Sequence, residues 1–465
     1  MKRSLTAFVA LAALLAAAGT AHATYLPQER IPTDSPVYRD LERLEIRYRV
    51  APRFMSSRPL RIVEALAYLR GLAAEHPDAA NDPAYTGAIQ YLDPDATGAT
   101  RPLVSVRGSG DEEAADSGTE RLEISPYAQF LYAEDPRSTP DINRDYRVGA
   151  AVAGALDTSA VFVADFYEGT ASQGGRGTPD FGDFNSLVQG VDFNSYVKEA
   201  YVEFPVSKLR FLFGHTWLKW GPGETGTLAL SDAAPALDML RYELGMFRRF
   251  RFNQFVAMLD PGAETYLAGH RLEWQATPAL TVGATEMARF NGTSQAGLYL
   301  IPFVPYSFWE KRPKSAGGLP DDSTGTLFTK NNVLWAADAS WVVRPGWRLY
   351  GEFLLDDYSF STDYKPDMFG YQAGVDLRRP VSAGALGALI EYTRIHNYVY
   401  SAWHGHDFAY DGFPTGYVLG PDVQEVSGLV SLEWGSWEFH VVGEYRKKGE
   451  GTVGDAWDPD MGEVD

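Results

Sequence analysis

The chain has 465 residues, of which 45% are hydrophobic and 22% are charged, and it contains no cysteine. The absence of cysteine excludes a disulfide scaffold, a thiolate metal site and a cysteine nucleophile. Acidic residues exceed basic residues by 61 − 41 = 20, which excludes a nucleic-acid partner because binding to a phosphate backbone needs a basic surface.

Residues 1–23 have the three parts of a secretory signal peptide. Lys2 and Arg3 precede an almost purely apolar run from Leu5 to Ala18, and Ala21-His22-Ala23 fits the small-x-small rule for cleavage. A transmembrane anchor is the alternative, but the apolar run is shorter than the roughly 20 residues that a spanning helix needs. We therefore predict that residues 1–23 are removed on export and that no helix of the mature chain crosses a membrane.

Residues 24–92 are predicted to form a small helical segment. Ser35 fits the N-cap of a first helix, with Pro36 at the first helical position. Apolar residues then recur at helical spacing both here and after Pro59. Residues 93–120 are rich in Gly, Ser, Thr and Asp, which predicts a linker or a mobile loop before the next domain.

From residue 121 to residue 465, apolar residues recur with the period of two that is typical of β-strands. Apolar and aromatic residues line one face of each segment, and polar or charged residues line the other. One such segment alternates Tyr371, Ala373, Val375 and Leu377 with Gln372, Gly374, Asp376 and Arg378.

Two architectures have this pattern: a soluble β-sandwich with its apolar face inside and a membrane barrel with its apolar face toward lipid. Three features favour the barrel. The segments reach the roughly 9–11 residues that a tilted strand needs to cross hydrocarbon, aromatic residues cluster near segment ends, and charges recur within strands, such as Arg348, Glu352 and Asp356. We predict a mainly β chain that forms a transmembrane antiparallel barrel of about 16–18 strands, with the small α-helical domain before it.

Three interruptions of the alternation, at residues 169–185, 291–332 and 397–423, are rich in Gly, Pro, Asp and aromatic residues. Outer-membrane barrels have short periplasmic turns and longer outer loops. We therefore expect these three segments outside the membrane or folded into the barrel mouth. Tight periplasmic turns are expected at residues 206–208 and 433–436.

The stretch from His215 to Asp238 is the densest unusual motif. It contains Gly221-Pro222-Gly223, which allows backbone shapes that other residues avoid, and Trp217 and Trp220 lie just before it. One interpretation is an aromatic platform that binds a sugar chain together with polar groups. The alternative, which composition alone favours, is an in-folded loop that plugs the barrel and in which the tryptophans pack or lie at the interface.

The Trp-Gly-Pro-Gly and Leu-Ser-Asp-Ala-Ala-Pro elements of residues 220–235 resemble the signature of the capsule-assembly Wzi family of Gram-negative outer-membrane proteins. A second match is the Tyr- and His-rich loop from Asn397 to Asp422, which ends here in Leu-Gly-Pro-Asp where the family has a longer Leu-Gly-x-x-Gly-Pro-Asp. The resemblance covers roughly residues 120–445. It implies an 18-stranded barrel with a periplasmic helical bundle, and a non-enzymatic, lectin-like role in attaching or organising capsular or exported polysaccharide at the cell surface.

The sequence gives little support for a catalytic site or a metal site. The chain has no Gly-x-Ser-x-Gly elbow, no His-Glu-x-x-His and no phosphate-binding glycine loop, so we expect no enzyme and no cofactor. His404-Gly-His406-Asp407 places two imidazoles at alternate positions, but no third ligand is evident, and we favour packing over metal binding. Two charge pairs are expected to lie inside the barrel, Asp376 with Arg378 and Glu391 with Arg394.

The predicted sugar contacts are aromatic, imidazole and carboxylate side chains of the two family-like loops. Aromatic faces would stack on sugar C–H surfaces while polar groups bond the hydroxyls. The expected partners are capsular polysaccharide or exopolysaccharide, outer-membrane lipid and the barrel-assembly machinery, and the expected location is the outer membrane. A diffusion porin or substrate channel is the alternative function, and a periplasmic anchor is a third. The candidate contacts are His215, Trp217, Trp220, Glu224, Trp403, His404, His406 and Tyr410.

Overall fold

The computed structural model describes residues 26–93, 104–107, 121–133, 143–155, 159–169, 194–310, 331–357, 366, 368–381, 384–402, 406–434 and 437–455. The predicted signal peptide and most of the predicted linker lie outside these residues. The chain divides into two compact units, one of residues 1–37 and 60–217 and the other of residues 38–59 and 218–465. Among the described residues, no helix is both long and apolar enough to cross a membrane.

Three α-helices lie in the segment that was expected to be helical: α1 (Val37–Tyr48), α2 (Ile62–Glu75) and α3 (Pro83–Leu92). Near the start of α1, the Ser35 hydroxyl accepts a hydrogen bond from the Val37 N–H at 3.3 Å. Asp82 caps α3 by accepting from the Ala84 N–H at 2.9 Å. Helices α2 and α3 belong to the first unit, whereas α1 belongs to the second from Tyr38 onward.

The first unit contains a run of six strands, in which each strand pairs antiparallel with the next. The first of them lies within residues 93–120, where the sequence predicts a linker, and the rest of that segment is not described. Val206 and Leu209 join two of the strands through the expected tight turn, with Ser207 at a φ of 59°. The strands are β2 (Val104–Arg107), β3 (Arg121–Ala133), β4 (Asn143–Ala155), β5 (Val161–Gly169), β6 (Asn194–Val206) and β7 (Leu209–Thr216).

The second unit contains ten strands that also follow one another in antiparallel order, interrupted by two short pairs. The short pairs are β1 (Ser57–Arg58) with β8 (Lys219–Trp220) and β17 (Ala409–Tyr410) with β18 (Phe413–Pro414). The ten strands are β9 (Leu237–Met246), β10 (Phe250–Asp260), β11 (Thr265–Thr277), β12 (Leu280–Asn291), β13 (Asn332–Arg344), β14 (Trp347–Asp357), β15 (Met368–Val381), β16 (Gly384–Ile395), β19 (Val423–Trp434) and β20 (Trp437–Lys448).

The ten strands of the second unit expose their apolar face and bury their charged face. Ile390 and Val430 are 62% and 51% exposed, while charged residues on the opposite face of the same sheet, such as Arg348 and Glu352, are buried. A soluble sandwich would do the reverse, because each large apolar side chain left in water forgoes about 1.5–3 kcal/mol. We refer below to these as the apolar face and the charged face. The first unit has the same inversion, with Phe166 and Phe213 exposed and Glu123, Glu199 and Glu203 buried.

The connections of the second unit differ in length at the two ends of its strands. Connections of two or three residues follow β9, β11, β13, β15 and β19, and connections of four to 40 residues follow β10, β12, β14 and β16. The expected turn at residues 433–436 is one of the short ones, since Trp434 pairs with Trp437. This asymmetry is typical of outer-membrane barrels. Residues 170–193, which hold most of one predicted outer loop, lie outside the described residues.

Helix α1 and the residues after it lie at the short-connection end of the second unit. The Gly346 N–H donates to the Ile46 carbonyl at 2.8 Å, and the Ala51 N–H donates to the Pro278 carbonyl at 2.7 Å. The chain then reaches β1, whose Ser57 pairs with Trp220 of β8. Residues 38–59 therefore pack with the strands of the second unit.

Candidate functional site

The two loops that carry the family-like motifs contact each other in the second unit. We define the signature loop as residues 218–236 and the Tyr-rich loop as residues 396–422. The Ser231 N–H donates to the Thr415 carbonyl at 2.8 Å, and the Tyr400 hydroxyl donates to the Leu228 carbonyl at 2.6 Å. Two motifs far apart in sequence therefore form one connected structure.

Two carboxylates of the charged face hold the backbone of the signature loop. Glu352 of β14 accepts the N–H groups of Gly223 at 2.9 Å and Leu228 at 2.8 Å. Glu391 of β16 accepts those of Glu224 at 2.8 Å and Thr225 at 3.0 Å. Four backbone N–H groups of the loop therefore bond to the side-chain oxygens of two strand residues, which fixes the loop against the strands.

One of these two side chains also ties the loop to the residues around it. Glu391 also accepts from the Tyr350 hydroxyl at 2.7 Å and from Gln372 Nε2 at 3.0 Å. The Thr225 hydroxyl lies 3.0 Å from that of Tyr417, which donates to a Glu425 oxygen at 2.9 Å. The expected pair of Glu391 with Arg394 does not form, because residues three apart in a strand point to opposite faces. The other expected pair does form, with Arg378 Nε 3.2 Å from Asp376 Oδ1.

The glycines of the signature loop allow this close approach. Gly221 has a φ of +134°, and a Cβ there would lie 2.2 Å from Glu352 Oε1. A Cβ on Gly223 would lie 2.2 Å from Gln372 Oε1 and 2.1 Å from the Gly226 carbonyl oxygen. All three distances are far below van der Waals contact, so the Gly-Pro-Gly sequence lets the backbone reach the carboxylates.

A buried charge cluster lies beside the loop. Arg348 pairs with Glu224, and Arg58 pairs with Glu42 of α1. Burial raises the pKa of the Glu45 carboxyl to about 7, with Arg348 opposing that shift and Glu42 adding to it. Burial and the nearby Glu224 likewise raise the pKa of Glu42. Burial alone would raise the pKa of Glu224 too, but Arg348 and then Arg58 outweigh it and lower that pKa.

Trp220 does not fit the expected role of a sugar-stacking residue. Its side chain is 1% exposed and packs edge-on against Phe255 with 5.3 Å between ring centroids. Glu224 is committed to its ion pair with Arg348, and its side chain is 27% exposed. These contacts support the in-folded alternative for the signature loop, in which its tryptophan is a packing group.

The remaining expected contacts have different surroundings. In the first unit, His215 of β7 is buried and its ring lies 6.5 Å from that of Trp217, which is half-buried. In the second unit, His406 is buried, and its backbone carbonyl accepts from Asn332 Nδ2 at 3.2 Å. Trp403 and His404 lie outside the described residues. Within the described ranges, no three His, Asp or Glu side chains are grouped so as to hold a metal ion.

Tyr410 is the candidate contact with the most suitable surroundings for a sugar. It lies in the β17–β18 hairpin, half-buried, beside the exposed Asp411 and the partly exposed Phe413. Burial raises the pKa of its hydroxyl, and the nearby carboxylates of Asp238 and Asp411 add to that shift. An accessible aromatic ring flanked by carboxylates has the chemistry that recognises sugar rings and hydroxyls.

Sequence reasoning missed the residues that organise the site. The sequence predicts Glu352 and Glu391 only as charges of the barrel interior, because period-two alternation shows which face a carboxylate occupies and not which groups it bonds. Tyr400 and Tyr417 lie within the Tyr-rich motif itself, so the motif was a signal for them. Only the structure shows their hydrogen bonds to the signature loop.

Comparisons with known proteins bear on the family and the fold. The sequence profile described as "Capsule assembly protein Wzi" matches residues 132–433. A comparison with curated proteins gave no match.

Among solved structures, the chain is similar to Wzi of Escherichia coli, described as a carbohydrate-binding β-barrel of the outer membrane involved in group 1 capsule assembly. That similarity has 15% sequence identity and a TM-score of 0.56 and covers 90% of this chain and 86% of that one. A loop-deletion mutant of OmpT from Vibrio cholerae matches at 15% identity and a TM-score of 0.37 over 70% of this chain and 94% of that one, which is too low to carry an argument.

At these identities the structural likeness shows the fold alone, and it confirms the predicted class: a mainly β, antiparallel barrel of the outer-membrane type with a small N-terminal helical region. The family was also expected from the two loop motifs. Its profile spans more than half of the sequence, and the chain therefore belongs to the Wzi family of capsule assembly proteins.

Proposed function

We propose that this protein is a non-enzymatic outer-membrane barrel that binds or organises capsular or exported polysaccharide at the cell surface. The observation that carries the proposal is that the two family motifs form one fixed structure. Tyr400 and Tyr417 join the Tyr-rich loop to the signature loop, and Glu352 and Glu391 hold the signature loop on the strands. A binding surface gains affinity when its loops are ordered before the ligand arrives. The family assignment and the carbohydrate binding described for the Escherichia coli relative support the same function.

We place the sugar contact at the Tyr410 hairpin rather than at Trp220. The Tyr410 ring would stack on a sugar face, and the carboxylates of Asp238 and Asp411 would accept hydrogen bonds from its hydroxyls. His215, Trp217, Trp403, His404 and His406 stay as proposed contacts. In this proposal Trp220 and Glu224 hold the signature loop in place and do not touch the sugar.

The outer-membrane location implies two further partners. The apolar face of the second unit, with exposed residues such as Ile390 and Val430, would contact membrane lipid. Insertion of such strands would require the barrel-assembly machinery. Helix α1 would lie on the periplasmic side, since it is at the short-connection end of the second unit and short connections face the periplasm in these barrels.

Replacement of Tyr410 tests the placement of the sugar contact. Aromatic contacts of this kind contribute about 0.5–1.5 kcal/mol beyond area burial, so Tyr410→Ala should weaken binding to the producer's own surface polysaccharide about 2- to 10-fold. Tyr371→Ala is the matched control, since Tyr371 is an exposed tyrosine on the apolar face of β15 and its loss should leave binding unchanged. Both variants should keep heat-modifiable migration, which reports an intact barrel.

Two results would contradict the proposal. Unchanged affinity in Tyr410→Ala, with the barrel intact, would remove the hairpin as the contact. No binding by the wild type, together with stable ohmic conductance in planar bilayers, would favour the porin alternative.

A further inference from the structure

A row of polar side chains interrupts the apolar face of the second unit. Tyr242, Gln254, His270 and Glu286 are direct cross-strand neighbours on β9, β10, β11 and β12. Glu286 in turn pairs with Trp335 of β13, which is 43% exposed, so the row lies on the apolar face. In a membrane barrel this face meets hydrocarbon, where an unsatisfied polar group costs several kcal/mol.

A segment of the β12–β13 connection covers this row, and we call residues 297–308 the strap. The Tyr242 hydroxyl donates to the Leu300 carbonyl at 3.0 Å, and Gln254 Nε2 donates to the carbonyls of Tyr299 and Ile301. The strap backbone thereby supplies acceptors for two members of the row. Gln254 is 0% exposed as a result.

Glu286 binds the other half of the strap. Its carboxylate accepts the N–H groups of Tyr306 at 2.8 Å and Ser307 at 3.2 Å, and it lies 2.9 Å from His270 Nε2. The His270 ring also packs against Tyr306 with centroids 4.4 Å apart. The row and the strap backbone therefore satisfy one another, and Glu286 is 1% exposed.

The strap carries no charged residue, although it belongs to a predicted outer loop. Its sequence is Gly-Leu-Tyr-Leu-Ile-Pro-Phe-Val-Pro-Tyr-Ser-Phe. Tyr299 stacks on Phe290 at 4.0 Å and Phe303 packs on Phe252 at 4.3 Å, so aromatic contacts join it to the strands. Its free side is apolar, with Phe303 and Phe308 53% and 65% exposed.

We propose that the strap contacts the acyl chains of membrane lipid and converts a polar row into part of the lipid-facing surface. The inference rests on the outer-membrane location proposed above. Glu286 lies 291 − 286 = 5 residues inside the end of β12, which is about 17 Å along the strand at about 3.3 Å per residue. A strand tilt of about 40° leaves about 13 Å of depth, against an apolar band about 25 Å tall.

Lipid, rather than a second protein surface, is the occupant that the neighbouring surface favours. The exposed Leu272 and Trp274 lie on the same face of β11 as His270, so the strap continues an apolar surface already present on the strands. A segment without charge beside such a surface fits a hydrocarbon environment.

Site-directed spin labelling tests the proposal, and the absence of cysteine makes each label unique. Phe303→Cys and Phe308→Cys would each carry a nitroxide in the full-length mature protein reconstituted into phospholipid vesicles. Val430→Cys on β19 is the lipid-facing control, and Ala263→Cys in the exposed β10–β11 connection is the aqueous control. Power saturation would compare collision with oxygen and with a water-soluble nickel chelate.

Nitroxides at positions 303 and 308 should match position 430, with oxygen favoured over the nickel chelate. Accessibility to nickel like that of position 263 would overturn the proposal, and so would exclusion of both reagents, which indicates a covering protein surface. If the nickel chelate also reaches the nitroxide at position 430, the result contradicts both the membrane location and the proposed lipid contact of the strap. Polysaccharide binding is measured separately, so its failure is distinguishable from either result.

A second variant tests how the strap is held. Glu286→Ala removes the acceptor for the N–H groups of Tyr306 and Ser307. The nitroxide at position 308 should then become more mobile and more accessible to nickel, while migration remains heat-modifiable. An unchanged spectrum would show that Glu286 does not hold the strap.

Discussion

Replacement of Glu352 by Ala should loosen the signature loop without unfolding the strands. The Glu352 side chain accepts hydrogen bonds from the Gly223 and Leu228 N–H groups. Removal of that side chain takes away this acceptor from both N–H groups. An unsatisfied buried donor costs about 1–3 kcal/mol, so two of them cost about 2–6 kcal/mol. The loss falls on the loop, because each strand keeps its antiparallel neighbours.

Hydrogen exchange measures this loss directly. With about 1.4 kcal/mol for each tenfold change, even the lower bound predicts about 30-fold faster exchange of the Gly223 and Leu228 amides. Peptides from residues 218–236 would report it by mass spectrometry in detergent. Glu352→Gln keeps one acceptor oxygen and should give an intermediate rate.

The control is Glu444→Ala on β20, because Glu444 is exposed and pairs only with Arg446 among the contacts described, at 3.4 Å. In this variant the amides of the signature loop should exchange at the wild-type rate. Equal exchange in Glu352→Ala and wild type, with heat-modifiable migration intact, would refute the view that strand carboxylates hold the loop.

Two more changes follow from the same contacts. Gly221→Ala places a Cβ 2.2 Å from Glu352 Oε1 at a φ of +134°, which should destabilise the bound conformation of the loop by at least about 1 kcal/mol. Protease should then cleave the chain faster between residues 218 and 236. Gly245→Ala is the control, because its Cβ meets nothing within 4 Å, and it should leave cleavage unchanged. Burial raises the pKa of Glu45 to about 7, so its contribution to stability is present at low pH and is lost as pH rises toward and through 7, by an amount of order 3 kcal/mol. Glu45→Gln should reduce that loss in melting curves between pH 5 and pH 8, and identical pH dependence in both proteins would contradict it.

The strands could be predicted from the sequence because their evidence is local. Alternation such as that of Tyr371 and Val375 with Gln372 and Asp376 records burial on one face and not the other, and β15 follows it. The tight turn after Val206 was readable for the same reason. The family motifs likewise identified the two loops that meet in the structure.

The site could not be predicted in the same way, because its contacts join residues distant in sequence. Trp220 has the composition of a sugar platform, and only its packing on Phe255 shows it to be buried. Proximity in the chain predicts Arg394 as the partner of Glu391, whereas the partners of Glu391 lie up to 167 positions away. The placement of α1 with the strands depended on similar long-range pairs.

The strap was missed for a different reason. Its residues follow Gly292 within a stretch rich in Gly and Pro, so the whole segment reads as an outer loop. The useful signal was the run of residues 297–308 without charge. That run is too short for a helix that spans a membrane, and the row it covers is visible only when the strand register places Gln254, His270 and Glu286 together.

The pairing of β1 with β8 also limits when residues 38–59 can pack onto the sheet during folding. Ser57 contacts Glu273, 216 positions later, so residues 38–59 are made early and find their partners only after much of the sheet exists. Contacts of such long range form slowly. During that wait Arg58 and the two glutamates of α1, Glu42 and Glu45, stay hydrated. These residues therefore lose their hydration late, only when the strands that supply their partners are in place.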